Sequence, residues 1–266
     1  MLIDTHCHLD FEAFDADREE VLKRATEAGL GFILNPSIDL ENYSQVVALT
    51  EQNEMLFAAV GVHHNSSTTW TEDTRAKLKR LTAHKKVVAI GEIGLDYYRD
   101  AGPKTVQHSV LEAQLELAAE VELPVIVHNR EASEDVLAIL LNWQAGLQRS
   151  GSPLAKRPGV LHSFSGDREM AEKAIAAFCI GFTGPLTFKN APELQSLAAE
   201  LPLDHILIET DSPFLSPHPL RGQRNEPARV KLVAEKLAEL KQITFEEVAK
   251  ATTENAKRLF RFEDAH

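Results

Sequence analysis

Short apolar runs recur along the chain, and stretches with apolar residues every three to four positions separate many of them. Eight of the runs read as strands, at 2–5, 31–35, 56–62, 87–91, 124–127, 159–163, 179–183 and 205–209. Most are almost wholly apolar rather than alternating, the pattern of strands covered on both faces. Helical spacing is clear at 17–28, 40–53, 106–121, 133–140 and 168–177. An α/β alternation with eight strands in about 250 residues predicts a (β/α)8 TIM barrel. An open doubly wound sheet is the rival, but it rarely needs eight even units. No Gly-x-Gly-x-x-Gly follows the first run either.

Two stretches break the rhythm. Residues 96–104 read as a polar loop after the fourth strand. Residues 143–158, rich in Gly, Ser, Pro and basic side chains, read as a flexible αβ connection on the face opposite an active site. The last stretch, 244–262, reads as a terminal helix packed on the barrel by Val248, Ala256, Leu259 and Phe260. No second domain or low-complexity tract is visible, so residues 1–266 are expected to form one domain.

Polar residues of one kind follow these strands. In a strand, residues i and i+2 point the same way, so His6 and His8 can both aim into the barrel mouth. His63 and His64 follow the third run, Glu92 the fourth and His128 the fifth; His162 follows Gly159-Val160-Leu161, and Asp211 follows the eighth. A TIM barrel gathers such strand ends round one pocket. Imidazoles and carboxylates converging there make a metal site suited to zinc, manganese or iron. His6, His8, Glu92, His128, His162 and Asp211 are too many for one catalytic ion with open positions, and suit two ions sharing a bridge. Glu92 can offer one oxygen to each ion. His6 and His8 would then hold one ion and His128 and His162 the other, with Asp211 completing the first site and touching a water.

Taken singly, each histidine is also an ordinary loop residue with satisfied hydrogen bonds; the convergence carries the metal reading. Glu209, two before Asp211, would accept from a ligand histidine or pair with an arginine at the mouth. Asp4 would orient the His6 ring or pair with a lysine. Arg130, Arg221 and Arg224 are candidate phosphate contacts or surface ion pairs. Tyr97 and Tyr98 would stack on bases or cap the core. Alternation turns Cys7 away from its flanking histidines into the barrel wall.

Composition narrows the class without choosing a substrate. At 44% apolar the chain is an ordinary globule, and no run approaches the length of a membrane span. The beginning carries no secretory pattern, and the two cysteines lie in or beside apolar segments, so a cytoplasmic protein without disulfides is expected. A net charge of −12 argues against a surface that attracts nucleic acid everywhere. It leaves room for a local site, because bound cations invert the potential of an acidic pocket.

With these residues in place the sequence resembles the TatD family of metal-dependent hydrolases and deoxyribonucleases, within the amidohydrolase-like barrels. The matching motifs are DTHCHLD (4–10), GVHHN (61–65), AIGEIGLDYY (89–98), PVIVHNR (124–130), LHSFSG (161–166), IETDSPFL (208–215) and RGQRNEP (221–227). They span almost the whole chain. The resemblance implies two divalent ions per subunit, Mg2+, Mn2+ or Zn2+. One would be held by His6, His8, Glu92 and Asp211, and the other by Glu92, His128 and His162. The family's third-strand histidine falls on His63. Proline usually follows it, where this chain has His64, whose role stays open between substrate and an extra ion.

The expected activity is a DNase, with 3′→5′ exonuclease action on strand ends or single strands, Asp211 taking the proton of the attacking water. Arg130 and Arg221 are weaker candidates for phosphate contacts. The alternative is an amidohydrolase or lactonase using the same pocket on a small carbonyl substrate, and a third reading is a metal-binding scaffold without turnover. No membrane association and no obligate protein partner are expected.

Overall fold

The computed structural model describes residues 1–38, 43–99 and 102–262. Its eight strands run parallel and neighbour one another in chain order. They are β1 (Leu2–Asp4), β2 (Leu30–Pro36), β3 (Leu56–Val60), β4 (Val87–Asp96), β5 (Val125–Arg130), β6 (Gly159–Leu161), β7 (Cys179–Phe182) and β8 (Ile206–Ile208). The helices are α1 (Arg18–Glu27), α2 (Tyr43–Gln52), α3 (Glu72–Leu81), α4 (Lys104–Val121), α5 (Ser133–Arg149), α6 (Arg168–Ala174), α7 (Pro192–Glu200), α8 (Val230–Lys241) and α9 (Phe245–Phe260). The β8–β1 seam is joined by Thr5 N–H to Ile208 O at 3.3 Å, Asp211 N–H to His6 O at 2.9 Å and His8 N–H to Ser212 O at 2.8 Å. The predicted TIM barrel is the observed fold, and the bonds that join its ends also fix His6, His8 and Asp211.

Apolar side chains form two layers. One joins strands to the surrounding helices and includes Ile33, Val60, Leu115, Val136 and Leu237. The other comprises Ile3, Leu34, Phe57, Ile126, Val160 and Leu207, packed with Leu259, Phe260 and Phe262 from the end of the chain. Phe57 and Phe262 are fully buried, with ring centroids 4.8 Å apart. Burying a side chain of that size contributes roughly 1.5–3 kcal/mol. A reciprocal Thr244–Glu247 capping box starts α9. Thr253 then donates to Met1 O at 3.0 Å, tying this helix to the start of the chain. The expected packing by Val248, Ala256, Leu259 and Phe260 is observed.

Two expectations need correction. β4 continues to Asp96 and β5 to Arg130, so Glu92 and His128 lie within strands rather than behind them. Their ladder runs through Gly94↔His128 and Asp96↔Arg130. It is permitted by Gly94 at φ 147°, where a Cβ would stand 2.1 Å from His128 O. Polar residues on these strand ends disguised the extension. In the second case, the 143–158 connection is not a flexible loop. α5 runs on to Arg149, and Gln144 then donates to Ala155 O at 2.8 Å. Arg157 bonds Leu259 O and Glu122 O. Of the expected 40–53 helix, positions 40–42 lie outside the described residues, as do 100–101 of the 96–104 loop.

Candidate metal centre

A cavity of about 610 Å3 opens among residues at the C-terminal ends of the strands, lined in part by His8, His63, Glu92, His128, His162 and Asp211. Its innermost donors come from the seam. His6 Nε2 and His8 Nε2 stand 3.2 Å apart. His6 Nε2 is 3.3 Å from Glu92 Oε2 and 3.8 Å from Asp211 Oδ1, and His8 Nε2 is 3.9 and 3.5 Å from the same two oxygens. Donors placed about 2.0–2.1 Å from a tetrahedral ion are separated by about 3.3 Å. The spacing of His6, His8 and Glu92 therefore suits an ion, with Asp211 Oδ1 beside the two rings. The tautomer agrees: His8 Nδ1 contacts Pro36 O at 3.2 Å, and only an Nδ1–H can bond a carbonyl, so in the neutral ring Nε2 keeps its lone pair. His6 Nδ1 is buried without a hydrogen-bond partner.

Glu92 turns its two oxygens to two sides. Oε2 meets the seam histidines, while Oε1 lies 3.0 Å from His128 Nδ1 and 3.8 Å from His63 Nε2. Burial opposes its ionisation, but His63, His128 and His6 together hold the carboxyl well below its ordinary range. Asp211 is also opposed by burial and is lowered by its contact with His8 and by His162 and His6. Its backbone is left-handed, at φ 55°, a conformation that aspartate tolerates better than most residues and that recurs at functional sites.

His162 sits between two carboxylates. Nδ1 lies 2.5 Å from Glu209 Oε2, and Nε2 lies 3.7 Å from Asp211 Oδ1. Burial disfavours its charged form, yet the charge and hydrogen bond of Glu209 raise the ring to about 10. Gly181 makes room for that carboxylate, since a Cβ there would stand 1.7 Å from Glu209 Oε1. His63 Nδ1 accepts from Asn65 N–H at 3.3 Å, which leaves the proton of a neutral ring on Nε2, toward Glu92. Burial lowers its pKa to about 4. His64 and His128 stack 4.1 Å apart beside Asp96, and burial pushes His64 down to about 2.

The remaining candidates separate. Arg130 lines the cavity and lies 3.8 Å over the Tyr98 ring, which is 61% exposed. Arg221 lies 4.1 Å over Phe188 and is not among the cavity's lining residues. Arg224 is paired with Asp17 at 2.7 Å, in a cluster with Arg24 and Glu226. Tyr97 is bound through its hydroxyl to Asp135 and His108. Asp4 neither orients the His6 ring nor meets a lysine: it accepts from Thr210 N–H, Thr210 Oγ1 and His6 N–H. Burial raises it to about 8 against those bonds. Cys7 packs in the core, and both cysteines are free.

Sequence reasoning missed Asp96, Arg99 and Phe214 at the cavity. Asp96 carried a usable signal: Glu92, Gly94 and Asp96 follow a two-residue period, as one face of a strand requires.

The chain matches the TatD related DNase family over residues 3–261. A Bacillus subtilis protein named "Uncharacterized metal-dependent hydrolase YabD" is 47% identical over 98% of this chain and 99% of its own length. An Erwinia billingiae protein named "3'-5' ssDNA/RNA exonuclease TatD" is 35% identical over 98% of this chain and 99% of its own. The crystal structure of the Escherichia coli TatD homologue YjjV aligns at a TM-score of 0.89 and 35% identity over 98% of each chain. With the barrel, the donor set and these matches together, the chain belongs to the TatD family of metal-dependent hydrolases.

Proposed function

We propose that this hydrolase cleaves phosphodiester bonds at nucleic-acid strand ends, as a 3′→5′ exonuclease on DNA. The observation that carries the reading is the seam group: His6 Nε2, His8 Nε2, Glu92 Oε2 and Asp211 Oδ1 at ligand-like spacing beneath an open cavity. These four residues would hold one divalent ion, and Glu92 with His128 and His162 a second. When bound, such ions polarise a phosphoryl oxygen and make a water acidic enough to attack.

The chain's own groups supply the rest. Asp211, with its side chain 17% exposed at the cavity, takes the proton of the attacking water on its carboxylate. Glu209 accepts the Nδ1 proton of His162 and so turns Nε2 toward Asp211. Arg130 offers its guanidinium to phosphate oxygens at the rim. Tyr98 and Phe214, 61% and 51% exposed, offer flat faces for terminal bases. The −12 net charge favours a frayed end over wrapping a long duplex. The name of the Erwinia relative supports the same substrate class. We take residues 1–266 to act as one hydrolase domain in the cytoplasm; no helix among the described residues is long and apolar enough to cross a membrane.

The test is metal-stripped protein reloaded with Mg2+, Mn2+ or Zn2+ and offered end-labelled single- and double-stranded DNA beside a panel of lactones and cyclic amides. Mononucleotide release, reduced about 10²–10⁴-fold by Asp211→Ala, is expected. Carbonyl turnover with no nucleotide release contradicts the reading.

A further inference from the structure

We propose that Asp96 is a positioning residue for the second ion: its Oδ2 takes the Nε2 proton of His128 and so leaves the Nδ1 lone pair for the ion beside Glu92. The inference rests on the reading that Glu92, His128 and His162 hold that ion, and not on DNA being the substrate. No ligand changes its ion; Asp96 joins the site from behind.

His128 stands between two carboxylates. Nδ1 lies 3.0 Å from Glu92 Oε1, and Nε2 lies 3.2 Å from Asp96 Oδ2. Donors sharing a tetrahedral ion stand about 3.3 Å apart, so the Glu92 side suits an ion held by both groups. With Nδ1 on an ion the ring keeps one proton, and that proton sits on Nε2. Asp96 Oδ2 is the acceptor that meets it. Which nitrogen of His128 can ligate is therefore set by a residue that never touches the ion.

The surroundings hold Asp96 in that role. Oδ1 accepts Tyr98 N–H and Arg99 N–H, both at 2.9 Å, which favours the charged carboxylate and leaves Oδ2 for His128. The backbone is fixed as well: Asp96 N–H donates to Gln107 Oε1 at 3.0 Å, and Gln107 Nε2 donates to Asp96 O at 3.2 Å. Gln107 is itself buried. Strand register, with Gly94 opposite His128 and Asp96 opposite Arg130, sets the carboxylate beside the ring. His64 covers the face of that ring, with centroids 4.1 Å apart. His128 is thus held by edge and face. Glu209 meets His162 in the mirrored way, at Nδ1 rather than Nε2. A carboxylate behind a ligand imidazole fixes its tautomer and raises its basicity.

Zinc titration of the metal-stripped full-length protein against a competing chelator tests it, with ring tautomers read by proton–nitrogen NMR of isotope-labelled histidines. The His128 signals are those lost in His128→Ala. Loaded wild type should hold two ions, with His128 protonated at Nε2. Asp96→Asn keeps an oxygen for the Tyr98 and Arg99 N–H groups and turns its amide N–H toward His128. That donor drives the ring proton onto Nδ1, so affinity for the second ion should fall about 10–100-fold, while the first ion and the circular dichroism match wild type. Asp96→Ala leaves the ring free to choose its tautomer and should lose no more affinity than Asp96→Asn. A merely structural role gives the opposite order, because Asn keeps the two backbone bonds and Ala loses them. Asp96→Asn protein that binds both ions as tightly as wild type, a greater loss in Asp96→Ala than in Asp96→Asn, or a loaded His128 protonated at Nδ1 would overturn the proposal alone. A wild type that takes up a single ion would overturn the two-ion reading and the proposal with it.

Discussion

The two ends of the barrel treat burial differently. At the floor, Phe57, Leu34, Ile126 and Leu207 meet Phe260 and Phe262, all at most 2% exposed and without a polar group to satisfy. At the mouth, His6, His64, Glu92 and Glu209 are at most 3% exposed, yet His6 Nδ1, both His64 nitrogens and Glu209 Oε1 lack hydrogen-bond partners. Burial at the floor yields stability. Burial at the mouth costs stability in the metal-free chain and holds donors at spacings that suit ions. One set of strands thus carries a packed end and a reactive one.

The largest expected effect lies at the mouth. Glu92→Gln should lower hydrolysis by about 10²–10⁴-fold while the metal-free protein stays folded by circular dichroism. An unfolded metal-free variant would make Glu92 a structural group and erase the contrast. Phe57→Ala should do the reverse. It should cost about 3–5 kcal/mol in denaturant unfolding and leave bound-metal stoichiometry unchanged at low temperature.

Gly181→Ala probes the support behind the mouth. Displacing Glu209 from His162 should weaken metal binding or activity by about 10–100-fold, seen as a higher metal concentration at half-maximal turnover. An unchanged metal dependence would show that Glu209 does not steady the ligand ring.

Arg224→Ala is the smallest test and belongs to neither end. Arg224 first, and Arg24 with it, lower Asp17 to about 2, against burial. A carboxyl depressed in the folded state adds stability that is complete above its unfolded pKa of about 3.9 and fades as pH falls through about 2. Both side chains are 33% exposed, so the variant should lose about 1 kcal/mol or less near pH 7 and match wild type below pH 2. Comparison of unfolding midpoints across that range measures it.

The barrel was legible because Leu56, Phe57, Ala58, Ala59 and Val60 and their counterparts form apolar runs that survive without context. His6 and His8 were legible for the same reason: spacing alone places them together. The end of β4 was hidden because Glu92 and Asp96 break an apolar pattern, although they continue the strand toward a cavity. α5 beyond Leu140 was hidden because Gly146 and the polar residues around it read as loop; Gln144 and Leu147 turn out to face inward. The distinct partners of His128 and His162 depend on ring orientation, which no spacing encodes. The family resemblance supplied a ligand set, and the coordinates add that Asp96 and His64 stand at the outer edge of it.

The central claim is that the buried donors at the mouth are a metal centre built on Glu92. Elemental analysis of wild-type and Glu92→Ala protein, stripped and reloaded with Mn2+ or Zn2+ and then dialysed, tests it most directly. The account predicts ions retained by wild type and loss of the seam ion in the variant, with the fold intact by circular dichroism. A folded Glu92→Ala protein that keeps every ion wild type binds would contradict it.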